Sequence, residues 1–333
     1  MNGQSLAKPR VSIVVVPRES FAHSLRSLES LYETAAGVDF EVIYVDGSTP
    51  RRLRSKLQRA ASERGFRLVS AEPPHTPNRM RNLGRSLARG EFIVFADNDL
   101  IYEDGWLARL VECAVETGAD VVGPLICIGD PPFGRIHSAG GDAFVDERSG
   151  ARSFREVHRL MDVPLTEKVM PVLVREPMNL VEFHCMLVRA SIFDRIGPLD
   201  EELASAGEHW DLSMTVRGAG GRIVFEPASR VNQLLPLPFT RDLSSVPFFL
   251  DRWAPRRNAQ SMARICTKYD IPRNDPNIAA YDDWLALRRQ LVFWDLLTSL
   301  RRMPVLQPLR KPVQSLNAMR RRRRERLRER LRA

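Results

Sequence analysis

The stretch Phe92-Ile93-Val94-Phe95-Ala96-Asp97-Asn98-Asp99 decides how this chain is read. Its first five residues are all apolar and mostly aromatic or β-branched, which predicts a buried strand. The strand runs straight into two carboxylates separated by one residue. With a side-chain period of two, Asp97 and Asp99 are expected on the same side of the chain. Two carboxylates converging at the end of a buried strand lose hydration and repel each other, so together they call for a cation. Hard oxygen ligands suit Mg2+ or Mn2+. An ion held by only one or two protein carboxylates usually completes its shell with substrate phosphates. A solvated acidic turn would have the same three letters, so the flanking sequence has to discriminate.

Working outward, strands and helices alternate. Apolar runs at 11–16, 40–45, 66–70 and 120–124 read as strands. Segments 24–34, 51–64, 78–89 and 106–117 carry helical spacing, as in Leu25, Leu28 and Leu31. This order predicts an α/β fold with a mostly parallel, Rossmann-like sheet flanked by helices. Ligands of such sheets bind beyond the carboxyl ends of the strands. Three of those ends are polar: Pro17-Arg18-Glu19, Asp46-Gly47-Ser48-Thr49 and Asp97-Asn98-Asp99. Their convergence at one sheet edge would make a binding site.

Composition narrows the classes. The 333 residues are 44% apolar and 27% charged, ordinary for a globular chain. No apolar run is long enough for a transmembrane helix, and the N-terminus lacks the apolar core of a secretory signal. Cys113, Cys127, Cys185 and Cys266 have no metal- or redox-type spacing and predict free thiols in a reducing cytoplasm. The tail 320–333 holds nine Arg and two Glu, a net +7 out of +9 for the whole chain. The body is therefore only about +2, which argues against nucleic acid as a partner. The Arg-rich tail is suited instead to an anionic membrane surface, where each basic residue contributes about 1 kcal/mol. That predicts a cytoplasmic protein, peripheral on the inner face of the membrane. Leu291-Val292-Phe293-Trp294, upstream of the tail, reads as part of a helix docked on the body.

The segments VSIVVVP, YVDGST and RNLGRSLARGEFIVFADND together resemble the N-terminal half of the family 2 glycosyltransferases. The resemblance implies a GT-A fold and an inverting, nucleotide-sugar-dependent enzyme. It implies that Asp46, with Gly47 and Ser48, meets the donor nucleoside, that Pro17, Glu19, Arg81, Asn82 and Asn98 lie by the nucleotide, and that Asp97 and Asp99 hold the divalent cation, Mn2+ or Mg2+, against the donor diphosphate. Gly84, Ala88 and Gly90 match small positions of the family. Met186-Leu187-Val188-Arg189, Phe193 to Glu202, and Gly207-Glu208-His209-Trp210-Asp211-Leu212 extend the likeness over residues 9–235. The expected division is a catalytic unit over 1–235 (nucleotide-sugar half 9–125, acceptor half 126–235), a helical C-terminal extension over 236–319, and the tail 320–333.

One departure concerns the base. Many relatives have Glu-Asp-x-Asp-Leu where this chain has His209 after Glu208. Glu208 and Asp211 are three apart and share a helix face, whereas His209 lies about 100° round. An inverting displacement needs a base within hydrogen-bond reach of the acceptor hydroxyl, and Glu208, Asp211 and His209 are all candidates. His184 and Trp210 are the candidates for contact with the acceptor, a saccharide, a lipid-linked sugar or another hydroxyl compound. Relatives often supply a late His to the metal, but here Val231-Asn232-Gln233-Leu234 has none. Two rival readings remain at this level. One is a nucleotidyltransferase on a similar sheet, and the other a catalytically silent, sugar-nucleotide-binding relative.

Overall fold

The structure is a computed structural model that describes residues 9–130, 132–147, 152–300 and 319; the Arg-rich tail lies outside them. In chain order the first half is β1 (Val11–Val16), α1 (Ser24–Thr34), β2 (Phe40–Asp46), α2 (Arg51–Arg64), β3 (Arg67–Ser70), α3 (Pro77–Leu87), β4 (Phe92–Asp97), β5 (Leu100–Tyr102), α4 (Trp106–Thr117) and β6 (Val121–Ile128). There follow β7 (Ile136–Ser138), the hairpin β8 (Gly141–Asp146) and β9 (Ser153–His158), β10 (Glu176–Pro177), β11 (Cys185–Arg189), α5 (Phe193–Ile196), α6 (Glu208–Gly218) and β12 (Ile223–Gln233). Three helices complete the described chain: α7 (Val246–Arg252), α8 (Pro255–Lys268) and α9 (Pro276–Leu300).

The main sheet runs β10-β12-β6-β11-β4-β1-β2-β3. Strands β4, β1, β2 and β3 are parallel, as are β6 and β12. Between these two groups β11 is inserted antiparallel, pairing with both β4 and β6. The α/β expectation therefore holds. The insertion of β11, a strand from far along the chain, ties both halves of the sequence into one sheet.

Why β1 and β4 lack polar alternation is clear from their neighbours. Val11, Ile13 and Val15 face one cluster with Phe92, Val94 and Ala96. Val14, Val16, Ile93 and Phe95 face the opposite one. Both faces are covered by helices, the usual state of a parallel sheet. Gly90, at the turn into β4, has to be small: a Cβ there would lie 2.6 Å from the backbone nitrogen of Ser12. Helices α7, α8 and α9 share a third core with the β8–β9 hairpin and α6, built on Trp210, Phe249, Trp253, Met262 and Leu285. Within the Leu291–Trp294 motif Val292 and Trp294 are buried while Phe293 is exposed, so one face of the motif docks on the body.

Candidate active site

Registers in the parallel strands bring the three polar strand ends to one edge, with Val16 opposite Asp97 and β2 ending beside β1 at Asp46. Strand β4 stops at Asp97, and Asn98 and Asp99 form a turn into β5. The turn, rather than strand alternation, thus brings the two carboxylates together. Asn98 is fully buried and spends its side chain on the scaffold. Its Nδ2 donates to the Ser20 carbonyl and to Ser24 Oγ at 2.8 and 2.9 Å, and its Oδ1 accepts from the Arg18 backbone N–H at 3.1 Å.

Asp97 and Asp99 are both buried, and each keeps one oxygen, Oδ1, without a hydrogen-bond partner. Burial pushes both carboxyls up. The charge of Asp97 adds to this at Asp99, which reaches about 7 although Arg18 and a hydrogen bond from Gln233 oppose the rise. Orphaned, desolvated carboxylate oxygens in a pair are what a divalent cation satisfies, so these residues fit the ion that the sequence calls for. Gln233 ends β12, in the segment where a late His was missing, and its amide reaches Asp99.

The remaining oxygen of Asp97 is held by the protein. His184 Nδ1 lies 2.9 Å from Asp97 Oδ2, and His184 Nε2 lies 3.1 Å from His137 Nε2. Burial lowers both imidazoles well below the usual histidine value, so both rings are neutral. A proton on His184 Nδ1 then donates to Asp97, and His137 donates to His184. His184 therefore orients Asp97, instead of meeting an acceptor as expected. Arg18 Nε approaches the same carboxylate at 3.5 Å.

Arg81 connects this end of the cleft to the candidate base. Its guanidinium lies 3.8 Å above the Phe183 ring, with nitrogens 3.9 Å from both Asp97 and Glu208. Burial lowers Arg81 to about 10, against the pull of those two carboxylates. Gly207, at φ 85°, makes the left-handed turn that starts α6 and places Glu208 in its first turn. Burial raises Glu208, but Arg252 at 3.4 Å and Arg81 outweigh it, and the carboxyl ends below its ordinary value. It is an ionised carboxylate among guanidinium groups.

The other two candidates on α6 point elsewhere. Asp211 accepts from Tyr269 Oη at 2.7 Å and pairs with Lys268 at 2.6 Å, joining α6 to α8. His209 turns to the hairpin, with Nε2 2.9 Å from Glu156. Trp210 is fully buried against Phe154 and Tyr281 and offers no ring face to a sugar, which corrects the stacking expectation. Asn82 is likewise committed: it exchanges hydrogen bonds with the backbone of Leu199 and donates to Glu201.

At the end of β2, Asp46 caps the turn by accepting from the Thr49 N–H at 2.8 Å and pairs with Arg54 at 3.0 Å. Ser48, at φ 74°, reaches His75. Pro17 and Gly47 pack together beside Met80. Glu19 is buried and paired with Arg288 of α9, which holds it down at about 2 even though burial pushes it up. Arg18, His137, Gln233 and Arg252 were missed as site residues. Arg18 stood inside a polar strand end already singled out. Arg252 had no local signal, because only the packing of α7 beside α6 brings it to Glu208.

Comparison with known proteins bears on the family and the fold. The sequence profile of the family described as Glycosyl transferase family 2 matches residues 12–196. Polypeptide N-acetylgalactosaminyltransferase 12 of Mus musculus is 28% identical over 246 residues, which is 70% of this chain and 41% of the mouse protein. The pre-mycofactocin glycosyltransferase of Mycobacterium tuberculosis is 26% identical over 160 residues, 47% of this chain and 30% of that protein. The crystal structure of GalNAc-T7 with UDP, GalNAc and Mn2+ shares the fold at a TM-score of 0.54 and 17% identity, covering 80% of this chain and 55% of that one. The chain thus spans about two fifths of the mouse relative's length.

Proposed function

Because the chain belongs to glycosyl transferase family 2, we propose that it is a metal-dependent, inverting glycosyltransferase that moves a sugar from a nucleoside-diphosphate donor to an acceptor hydroxyl. The observation that carries this reading is the pair of buried carboxylate oxygens without hydrogen-bond partners on Asp97 and Asp99, with Asp97 linked through Arg81, at 3.9 Å, to an ionised Glu208. Asp97 and Asp99 would hold Mn2+ or Mg2+, with Gln233 beside them. When bound, the ion supplies Lewis-acid neutralisation of charge on the departing diphosphate.

The protein's own groups do the rest. His184 and His137 keep Asp97 in one orientation, while Arg18 and Arg81 present fixed positive charge toward the diphosphate end. The nucleoside lies along the Asp46–Ser48 turn. Glu208 is the base: its Oε1 is buried but ionised, and it takes the proton from the attacking acceptor hydroxyl. Arg81 and Arg252 keep Glu208 deprotonated until that transfer. His209 and Asp211 are not bases in this scheme, since Glu156 and Lys268 occupy them. The names of the matched relatives, N-acetylgalactosaminyl- and pre-mycofactocin glycosyltransferase, support sugar transfer as the reaction class.

Residues 1–235 form the catalytic unit in this reading, and the described part of the extension, α7 to α9, closes its acceptor side; residues 301–318 lie outside the described residues. No helix among the described residues is long and apolar enough to cross a membrane. The tail 320–333 brings the enzyme to an anionic cytoplasmic membrane surface. A panel of nucleotide sugars incubated with Mn2+ or Mg2+ tests the proposal. Release of free nucleoside diphosphate that requires the ion and disappears in Asp99→Ala is expected; absence of sugar-nucleotide binding in the presence of metal sinks it.

A further inference from the structure

Four side chains outside the Asp97–Asp99 site converge on one point: Glu156 and His158 from β9, Glu182 from the segment before β11, and His209 from α6. One ligand atom of each lies within 4.8 Å of all the others. His158 Nε2 and His209 Nε2 stand 2.7 and 2.9 Å from Glu156 Oε1. His158 Nδ1 and His209 Nε2 are each 3.7 Å from Glu182 Oε1. All four side chains are largely buried, at 12–16% exposure. His158 Nδ1 is shielded from solvent and has no hydrogen-bond partner.

From these contacts the geometry points to a second, independent metal site that binds Zn2+ through two imidazole nitrogens and two carboxylate oxygens. Zinc–ligand bonds of about 2.0–2.2 Å separate tetrahedral ligands by roughly 3.5 Å. An imidazole gives one ion one nitrogen: with His158 Nδ1 and His209 Nε2 as ligands, both stand 3.7 Å from Glu182 Oε1 and already meet that spacing, and the 2.9 Å contact of His209 with Glu156 reaches it by a small side-chain rotation. Against the effect of burial, Glu156 and Glu182 raise both imidazoles, so a bound ion displaces their protons; the set then carries two negative charges, which a divalent cation cancels. Nitrogen ligands separate this site from the oxygen-only pair at Asp97 and Asp99, since imidazole favours Zn2+ over Mg2+.

The position gives the site its consequence. A bound ion ties the β8–β9 hairpin to the first turn of α6, one residue from Glu208. It acts on the acceptor side as a clamp and touches no donor group. The site stands on its own ligands and is independent of whether sugar transfer is the reaction.

The test uses the full chain, stripped of metal, in an Asp97→Asn/Asp99→Asn background so that the other site is silent. Titration with Zn2+ is expected to show one tight equivalent, and Co2+ in its place to give the intense visible bands of a four-coordinate N/O site. His158→Asn/His209→Asn in that background should weaken Zn2+ binding by about 100-fold or more. If the folded Asp97→Asn/Asp99→Asn protein binds no Zn2+ tightly, the four groups are only an ion-pair cluster and the site is refuted. It is equally refuted if the equivalent survives loss of both histidines. Should the histidine variant fail to fold, X-ray absorption of Zn2+ on the parent protein decides: imidazole scattering supports the site and an oxygen-only shell overturns it.

Discussion

Replacing Asp99 by Asn should make the metal-free protein more stable at alkaline pH and remove its response to Mn2+. The carboxyl of Asp99 is pushed up from 3.8 to about 7 by burial and by Asp97. The folded-state value lies above the unfolded one. The folded protein therefore retains a proton that the unfolded chain has released between about pH 4 and pH 7. This contribution to stability is complete below about pH 4 and is lost as the pH rises through 7. At about 1.4 kcal/mol per tenfold, a rise from 3.8 to about 7 corresponds to roughly 4 kcal/mol against the ionised form. Relaxation and water entry reduce this, so on the order of 2 kcal/mol is expected in practice. Asn is close in shape to the neutral acid and avoids the charge. At pH 8.5 without metal, Asp99→Asn should melt a few degrees above the parent, at about 2–4 °C per kcal/mol, and at pH 4 the two should coincide. Adding Mn2+ at 100 times its dissociation constant should reverse the order by stabilising only the parent, by about 2.7 kcal/mol. Thermal melting by circular dichroism at the two pH values, with and without Mn2+, is sufficient. If metal-free Asp99→Asn melts at or below the parent at pH 8.5, Arg18 and Gln233 already compensate the charge. The argument for a cation is then wrong.

Other substitutions separate roles along the same cleft. Glu208→Gln should lower the transfer rate by 10²–10⁴-fold, typical of losing a general base, with donor affinity measured by calorimetry unchanged; a rate within threefold of the parent would exclude Glu208. Asp211→Asn, by contrast, should cost roughly 1–3 kcal/mol of stability through its buried contacts with Lys268 and Tyr269, and retained kcat per folded molecule checks that it is not the base. Gly90→Ala drives a Cβ to 2.6 Å from the β1 backbone, and should destabilise by about 1–3 kcal/mol in urea melts; a neutral result would mean that the turn into β4 yields. Deletion from Arg320 onward should abolish sedimentation with anionic vesicles while leaving donor hydrolysis intact, and unchanged pelleting would dismiss the tail as a membrane contact.

Much of the sheet and of its Asp97–Asp99 edge is legible in the sequence. Strand β1 was delimited as Val11–Val16 and α1 as Ser24–Thr34, and both have those limits in the structure. Strand β6 continues to Ile128, beyond the expected end at Pro124, because β12 pairs with it along its whole length. Apolar runs covered on both faces are strong local signals, and parallel strands must put their carboxyl ends at one edge. Asp97, Asp99 and the Pro17–Glu19 and Asp46–Thr49 turns therefore had to converge. The acceptor side was less legible. Glu208, His209 and Asp211 are near neighbours on one helix turn, yet each meets a different partner: Arg81 and Arg252, Glu156, and Lys268 with Tyr269.

The sequence alone thus determined the alternation of elements, the sheet edge at which the polar strand ends converge and the carboxylate pair placed there, because these follow from short-range periodicity and chain direction. Only the tertiary structure decided that Glu208 of α6 meets Arg81 and Arg252, that His184 braces Asp97, and that Glu156, His158, Glu182 and His209 meet. Those outcomes depend on side chains far apart in the chain, 87 residues for His184 with Asp97 and 53 for His209 with Glu156, being packed together by β11 beside β4, the β8–β9 hairpin and the C-terminal helices. Local pattern carries no information about such pairings.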